Sequence, residues 1–365
     1  MKQIKINILL ITLVSVVGLV NCKRKSGENT SKEVETLKEE KKEQLPKVTQ
    51  VATIKGQQLT GVTVSNSRVL VNFPRWRKNV KFSVAEVKQN NFSAYPNKQW
   101  NAWNIGQPVN DSVFVAVQSV VASNDLLYVV DTRNPLFQGV VDQPIIFAFD
   151  LKTNKLVKSY KLPKEAFHKN SYINDIRIDN QRGYAYCTDS GKAGLVILNL
   201  KTGEIKRVLD EHFSTKSEQA YLTINGKKWN NTVHSDGIAL DVASGMLYYH
   251  ALTGYNLYGI SVETLIKGSE KEIEEAVQLV AKTAAPDGML INKGNLYYGD
   301  LEQHLIQTFN LKTKKIATLL SGNKVKWADT FSLENGYLYY TNSRIHEASG
   351  DISDLEFTVN KIKVD

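Results

Sequence analysis

Apolar and polar positions alternate along most of this chain in short runs, and the runs recur in a fixed order. A polar residue opens an alternating strand, a turn of Asn, Asp, Gly or Ser follows, and an aromatic-rich strand comes next. The unit runs from Gln118 to Asp131, with its turn at Asn124 and Asp125. It returns from Asp175 to Asp189, from Asp236 to Tyr249, from Asp287 to Tyr298 and from Asp329 to Tyr340. A degenerate sixth copy spans Gly61 to Val71.

A second element trails most copies. Phe147–Thr153, Ile197–Gly203 and Thr308–Thr313 each read as a strand ending in a polar hairpin turn, with another strand behind it. Each unit is therefore a four-stranded sheet, the size of one propeller blade. Six such sheets predict an all-β, six-bladed β-propeller over residues 48–365, with a strand from each terminus, near Val48–Ile54 and Glu356–Val364, completing one blade. Radial stacking buries sheet faces and edges that would otherwise pair with other chains. A two-sheet sandwich has no need of six similar units. One segment breaks the pattern. Ser269 to Glu272 carries a capping box, and Ile273, Ala276, Val277 and Val280 share a helical face, which predicts a short helical insertion on the rim.

The N-terminus has a different pattern. Lys2 and Lys5 precede an apolar run from Ile8 to Val20, too short for a spanning helix, and the run ends at Asn21-Cys22. This resembles the lipobox of bacterial lipoproteins, although Asn21 stands where a small residue is usual. The resemblance implies a signal peptide over residues 1–21 and lipidation at Cys22. The protein would then be exported and held by a lipid anchor, at the outer membrane facing the periplasm or at the cell surface. Residues 22–47 are rich in Glu, Lys, Ser and Thr and lack aromatics, so they read as a charged tether.

The only other cysteine is Cys187, so no intrachain disulfide framework forms, and its apolar surroundings mark it as a small core residue. The formal charge of +9 is spread over turns and not gathered in a stripe, which argues against nucleic-acid binding. A monomer is expected.

Particular words narrow the fold. Pro74-Arg75-Trp76, Tyr95-Pro96-Asn97 with Trp100, Leu127 to Thr132, Leu247 to Thr253 and Trp327 to Phe331 occur in the order found in the major royal jelly/yellow family. The chain resembles that family from Gly61 to His346, with two departures: Arg133 replaces a glycine, and the disulfide cysteines of the insect proteins are absent. The Asp236-Gly237 and Asp287-Gly288 pairs are also similar to gluconolactonase/regucalcin-like propellers, which hold a divalent cation in the channel.

The repeat puts Gln118, Asn174 or Asp175, Asp236, Asp287 and Asp329 at equivalent positions, where the innermost strands begin and face one channel mouth. Carboxylates aimed at one axis repel unless water, a cation or a cationic ligand lies between them. One reading is a channel that captures a small, aromatic or amine-bearing molecule, as the family resemblance implies, with Gln118, Asn174, Asp175, Asp236, Asp287, Asp329 and His250 as its contacts. The alternative is a divalent-metal-dependent, lactonase-like hydrolase with Ca²⁺ on Asp175, Asp236 and Asp287. The plain reading is that these aspartates close Asp-Gly and Asn-Asp turns. Dopachrome-type tautomerisation is implied by family naming alone, and a scaffold role for the blade rims stays open. His234 reads as an ordinary hydrogen-bonded histidine, the Asp300, Glu302, His304 alternation as a solvated loop with a metal site as the alternative, and the five tryptophans as core that also suits a ring-binding pocket. No phosphate loop, His-Glu-x-x-His or Gly-x-Ser-x-Gly occurs.

Overall fold

The computed structural model describes residues 46–364. The signal peptide, Cys22 and nearly all of the tether lie outside the described residues. The first strand, β1 (Thr49–Lys55), belongs to the last sheet. Blade 1 is β2 (Gly61–Ser65), β3 (Arg68–Asn72), β4 (Val84–Lys88) and β5 (Asn91–Ala94). Blade 2 is β6 (Val117–Ser123), β7 (Leu126–Asp131), β8 (Ile145–Asp150) and β9 (Leu156–Lys161). Blade 3 is β10 (Ile173–Asp179), β11 (Tyr184–Asp189), β12 (Gly194–Asn199) and β13 (Ile205–Val208). A hairpin, β14 (Leu222–Ile224) and β15 (Lys227–Trp229), follows. Blade 4 is β16 (Ser235–Asp241), β17 (Met246–Ala251), β18 (Asn256–Ser261) and β19 (Gln278–Lys282). Blade 5 is β20 (Met289–Asn292), β21 (Asn295–Asp300), β22 (Leu305–Asn310) and β23 (Ile316–Ser321). Blade 6 is β24 (Ala328–Glu334), β25 (Tyr337–Asn342) and β26 (Glu356–Lys363), with β1 antiparallel to β26 on its outside.

The innermost strands touch in a cycle, β2 to β6, β10, β16, β20, β24 and back to β2, which closes the ring. The six-bladed propeller expected from the repeat is the fold. Adjacent blades share apolar layers. Val130 and Ile146 of blade 2 pack with Ile176, Ala185 and the fully buried Cys187 of blade 3.

Gly237 and Gly288 do not close turns. Neither has a positive φ. A Cβ on Gly237 would lie 2.5 Å from the Asp287 carbonyl oxygen, and one on Gly288 only 2.1 Å from that of Asp329. Glycine is needed there because the next blade's backbone comes so close.

The helical insertion is two short helices, α1 (Val262–Lys267) and α2 (Glu270–Glu275), between β18 and β19. The Ser269–Glu272 capping box is present, and Ile273 is buried against Val262, Leu265 and Ile260. The expected helical face ends early: Val280 lies in β19, where pairing with β18 replaces the helix.

Candidate functional site

Four of the six inner strands begin with a β-bulge, and each bulge holds the residue expected at the channel. Pairing with the second strand skips Gln118 in β6, Asn174 and Asp175 in β10, Asp236 in β16, and Asp329 and Thr330 in β24. In blade 5 the ladder starts at Met289, immediately after Asp287 and Gly288. A bulge leaves one residue out of the ladder and re-aims its side chain. Blade 1 has no bulge, since β2 pairs with β3 without a break from Gly61 to Ser65. In blades 2, 3 and 6 an acid or amide at the end of the second strand fixes the segment before the bulge. Asp131 accepts from the Val115 and Ala116 amides (both 2.7 Å), Asp189 from the Tyr172 amide (2.8 Å), and Asn342 from the Lys326 amide (2.8 Å).

Gln118, Asn174, Asp236, Asp287 and Asp329 together line the floor of a central cavity of about 510 Å³. Hydrogen bonds join Gln118, Asn174 and Asp236 into a chain, and Asp287 and Asp329 are held from behind. Trp76 Nε1–H donates to the Tyr172 hydroxyl (2.5 Å), which donates to Gln118 Oε1 (2.9 Å). Gln118 Nε2 donates to Asn174 Oδ1 (3.2 Å), and Asn174 Nδ2 donates to Asp236 Oδ2 (2.7 Å) and Ser190 Oγ (2.9 Å). Asp287 Oδ2 accepts from Trp327 Nε1–H (2.5 Å), and Asp329 Oδ1 from Thr330 Oγ1 (3.2 Å).

The three carboxyls resist ionisation. Burial is the main cause for each. The negative charges of Asp329 and Asp175 push Asp236 up further, and those of Asp329 and Asp236 do the same to Asp287, so both lie well above the usual range. Asp329 is pushed up to about 7. The trio titrates as a unit and holds protons near neutrality.

Two of the expected contacts lie elsewhere. Asp175 shares the β10 bulge with Asn174, and consecutive residues point to opposite sides. Asn174 takes the channel, whereas Asp175 accepts from Ser119 Oγ (2.8 Å) and pairs with Arg177 (2.8 Å). His250 is fully buried within blade 4, with Nδ1 2.7 Å from the Ala251 carbonyl and Nε2 3.0 Å from Thr283 Oγ1; burial lowers its pKa to about 4. The Ca²⁺ set Asp175, Asp236 and Asp287 therefore does not assemble. Among the described residues no three His, Cys, Asp or Glu side chains come together as a metal cluster. The donors do not fit the group.

Above the floor the walls are aromatic and apolar. Trp76 stacks on Phe137 (centroids 5.6 Å apart), and Phe137 packs on Tyr172 (4.8 Å). Phe137 is 60% exposed at the mouth. It sits on a short 3₁₀ turn where Leu136 (φ 59°) and Phe137 (φ 55°) are left-handed, a conformation costly for bulky residues. Arg133 begins this loop, also at positive φ (49°), a conformation that glycine adopts most readily. Its buried guanidinium is anchored by Asp142 (2.5 Å) and Asp111 (2.9 Å).

Of the tryptophans, Trp76 and Trp229 line the cavity, and Trp327 stands behind Asp287. Trp100 packs on Phe114, Phe147 and Phe149 in blade 2, and Trp103 is buried near Val115. Glu302 accepts from the Thr223 amide and Tyr255 hydroxyl, and His304 faces Asn225 and the Lys326 carbonyl. His234 Nδ1 accepts from the Ser217 amide. Phe137, Tyr172, Gln58 and Arg77 reach the cavity from irregular segments, where no periodic pattern marks a direction.

A family model described as major royal jelly protein matches residues 115–363. Curated relatives include Major royal jelly protein 6 of Apis mellifera, 24% identical over 228 residues, which cover 59% of this chain and 51% of that protein. Dopaminechrome tautomerase of Drosophila melanogaster is 22% identical over 226 residues, covering 57% and 49%. The chain thus spans about half the length of these relatives. Among solved structures, a luciferin-regenerating enzyme superposes with a TM-score of 0.56 at 13% identity, over 87% of this chain and 95% of its own, a likeness of fold alone.

Proposed function

The chain belongs to the major royal jelly protein family, and from that membership and the chemistry of the cavity we propose that it binds a small aromatic amine in its central channel. One observation carries the reading: three buried carboxyls share the floor of a cavity walled by Trp76, Phe137 and Tyr172. A cation entering this space replaces a proton as the counter-charge, and the rings offer a flat apolar face to its body. Exposure of Phe137 at the mouth supplies a landing surface.

The test is isothermal titration calorimetry with phenethylamine and its neutral analogue 2-phenylethanol. Phenethylamine is expected to saturate one site, and Asp287→Asn to weaken it about tenfold or more, the scale of one charge-assisted hydrogen bond. Equal affinity for the neutral alcohol, or no saturable binding of the amine, would refute the reading. The same reading has the propeller exported and held by lipid at Cys22, supported by the apolar run before that residue. Cys22→Ser should release the protein from membranes, and unchanged retention would count against the anchor.

A further inference from the structure

The cavity lining contains three carboxyls and a single cationic side chain, Arg77. Its partners are neutral. One guanidinium nitrogen donates to Gln58 Oε1 and another to the Ala348 carbonyl. Gln58 is itself buried and fixed by a bond from its Nε2 to the Ser343 carbonyl (3.0 Å), so this wall holds the guanidinium in place. Those bonds use two of the five N–H donors a guanidinium carries.

The other arginines are treated differently. Among the described residues, each is in an ion pair except Arg75 and Arg77, as with Arg68 and Glu86 or Arg207 and Asp189. Arg75 is 1% exposed, lies over the Trp103 ring and donates to the Val115 carbonyl. Arg77 alone combines a cavity position with no protein carboxylate beside it. Burial pulls its pKa below the ordinary value, and no neighbouring acid offsets that.

A half-buried guanidinium with spare donors, facing a space that also holds an acidic floor, is matched by a ligand that brings its own anion. We infer that Arg77 is the anion subsite of this cavity, and that the natural ligand is an aromatic zwitterion. Its ammonium meets the Asp236, Asp287 and Asp329 floor, its ring meets Trp76, Phe137 and Tyr172, and its carboxylate meets Arg77. This rests on the amine reading above and narrows it.

Calorimetry with three probes tests it: phenethylamine, L-phenylalanine, whose charges share one carbon, and 4-(2-aminoethyl)benzoate, whose charges lie at opposite ends of the ring. At least one zwitterion is expected to bind about tenfold tighter than phenethylamine, as a charge-assisted contact to arginine implies. Arg77→Gln should abolish that advantage, so that the ratio of zwitterion to phenethylamine affinity falls to about one. Arg77→Lys should retain part of it, and thermal melting checks that both variants are folded at the assay temperature. If phenethylamine binds and neither zwitterion exceeds it, the Arg77 inference is overturned and the amine reading stands. Equal weakening of amine and zwitterion by Arg77→Gln also overturns it. If no probe binds, the amine reading itself has failed.

Discussion

Replacing Asp329 by Asn should stabilise the ligand-free protein, and only at pH values where the carboxyl would ionise. In the folded chain Asp329 is pushed up to about 7, well above the usual carboxylate range, chiefly because burial penalises its charge. An acid with a raised folded pKa binds more protons in the folded than in the unfolded state. Its cost to stability is therefore absent below about pH 4, grows as pH rises, and is complete above about pH 7. A rise of that size corresponds to roughly 4 kcal/mol. The side chain is 7% exposed, so solvent screens little of this. Asn keeps the shape and can still accept from Thr330, but carries no charge. At about 1.5–2 °C per kcal/mol for a domain of this size, the variant should melt roughly 6–8 °C above wild type at pH 8. At about pH 3.5 the two should nearly coincide. Differential scanning calorimetry across this range reads both. Parallel pH profiles, or a variant less stable than wild type at pH 8, would refute the argument.

Gly288→Ala should destabilise by about 3 kcal/mol or more, because its Cβ would meet the Asp329 carbonyl oxygen at 2.1 Å and backbone cannot swing aside; urea unfolding measures it. Binding of phenethylamine at pH 6 should release protons from the acidic trio, so the apparent enthalpy should vary with the ionisation heat of the buffer. An enthalpy independent of the buffer would mean that the carboxyls are already ionised. Trp327→Phe removes the donor to Asp287 Oδ2 and should raise that carboxyl further, weakening amine binding several-fold at pH 7 but less at pH 9.

The ring of blades was readable because every blade repeats the same strand, turn and aromatic strand, and because both termini carry alternating segments that had to pair. The channel residues were readable to within one position. Period-two alternation cannot tell Asn174 from Asp175, since a bulge admits both and only the fold shows which enters the axis. His250 was misplaced for a related reason: it lies opposite Gly237 beside the β16 bulge, where its ring is taken up inside the blade. The capping box announced α2, but α1 had only one apolar turn and a β-branched start, too little to stand out. Arg77, Tyr172 and Phe137 come from irregular segments, where no period links sequence to direction. The left-handed backbone at Leu136 and Phe137 has no sequence signal at all, because the residues that usually mark it are Gly, Asn and Asp.

The distribution of charge around the ring separates what the fold needs from what a ligand needs. Blades 2 and 3 turn only the amides Gln118 and Asn174 from their bulges to the channel, and blade 1 closes with Gly61 and no bulge at all. An inner strand therefore starts perfectly well without an acid. Blades 4, 5 and 6 nevertheless carry Asp236, Asp287 and Asp329 side by side, each disfavoured by burial. The aromatic wall comes from the other half: Trp76 follows β3, Phe137 follows β7 and Tyr172 precedes β10. The acids are thus confined to one half of the cavity, with Trp229 beside them, while Trp76, Phe137 and Tyr172 face them from the neutral half, which is the layout for a ligand with an apolar body and a cationic end. If that is why the acids persist, converting blades 4 and 5 to the amide pattern of blades 2 and 3 should leave the propeller intact. Asp236→Asn with Asp287→Asn should then melt at or above wild type at pH 8 while losing phenethylamine binding by about a hundredfold, two charge-assisted bonds' worth. A double variant that unfolds, or that binds the amine as wild type does, would show that the acids serve the ring and not its contents.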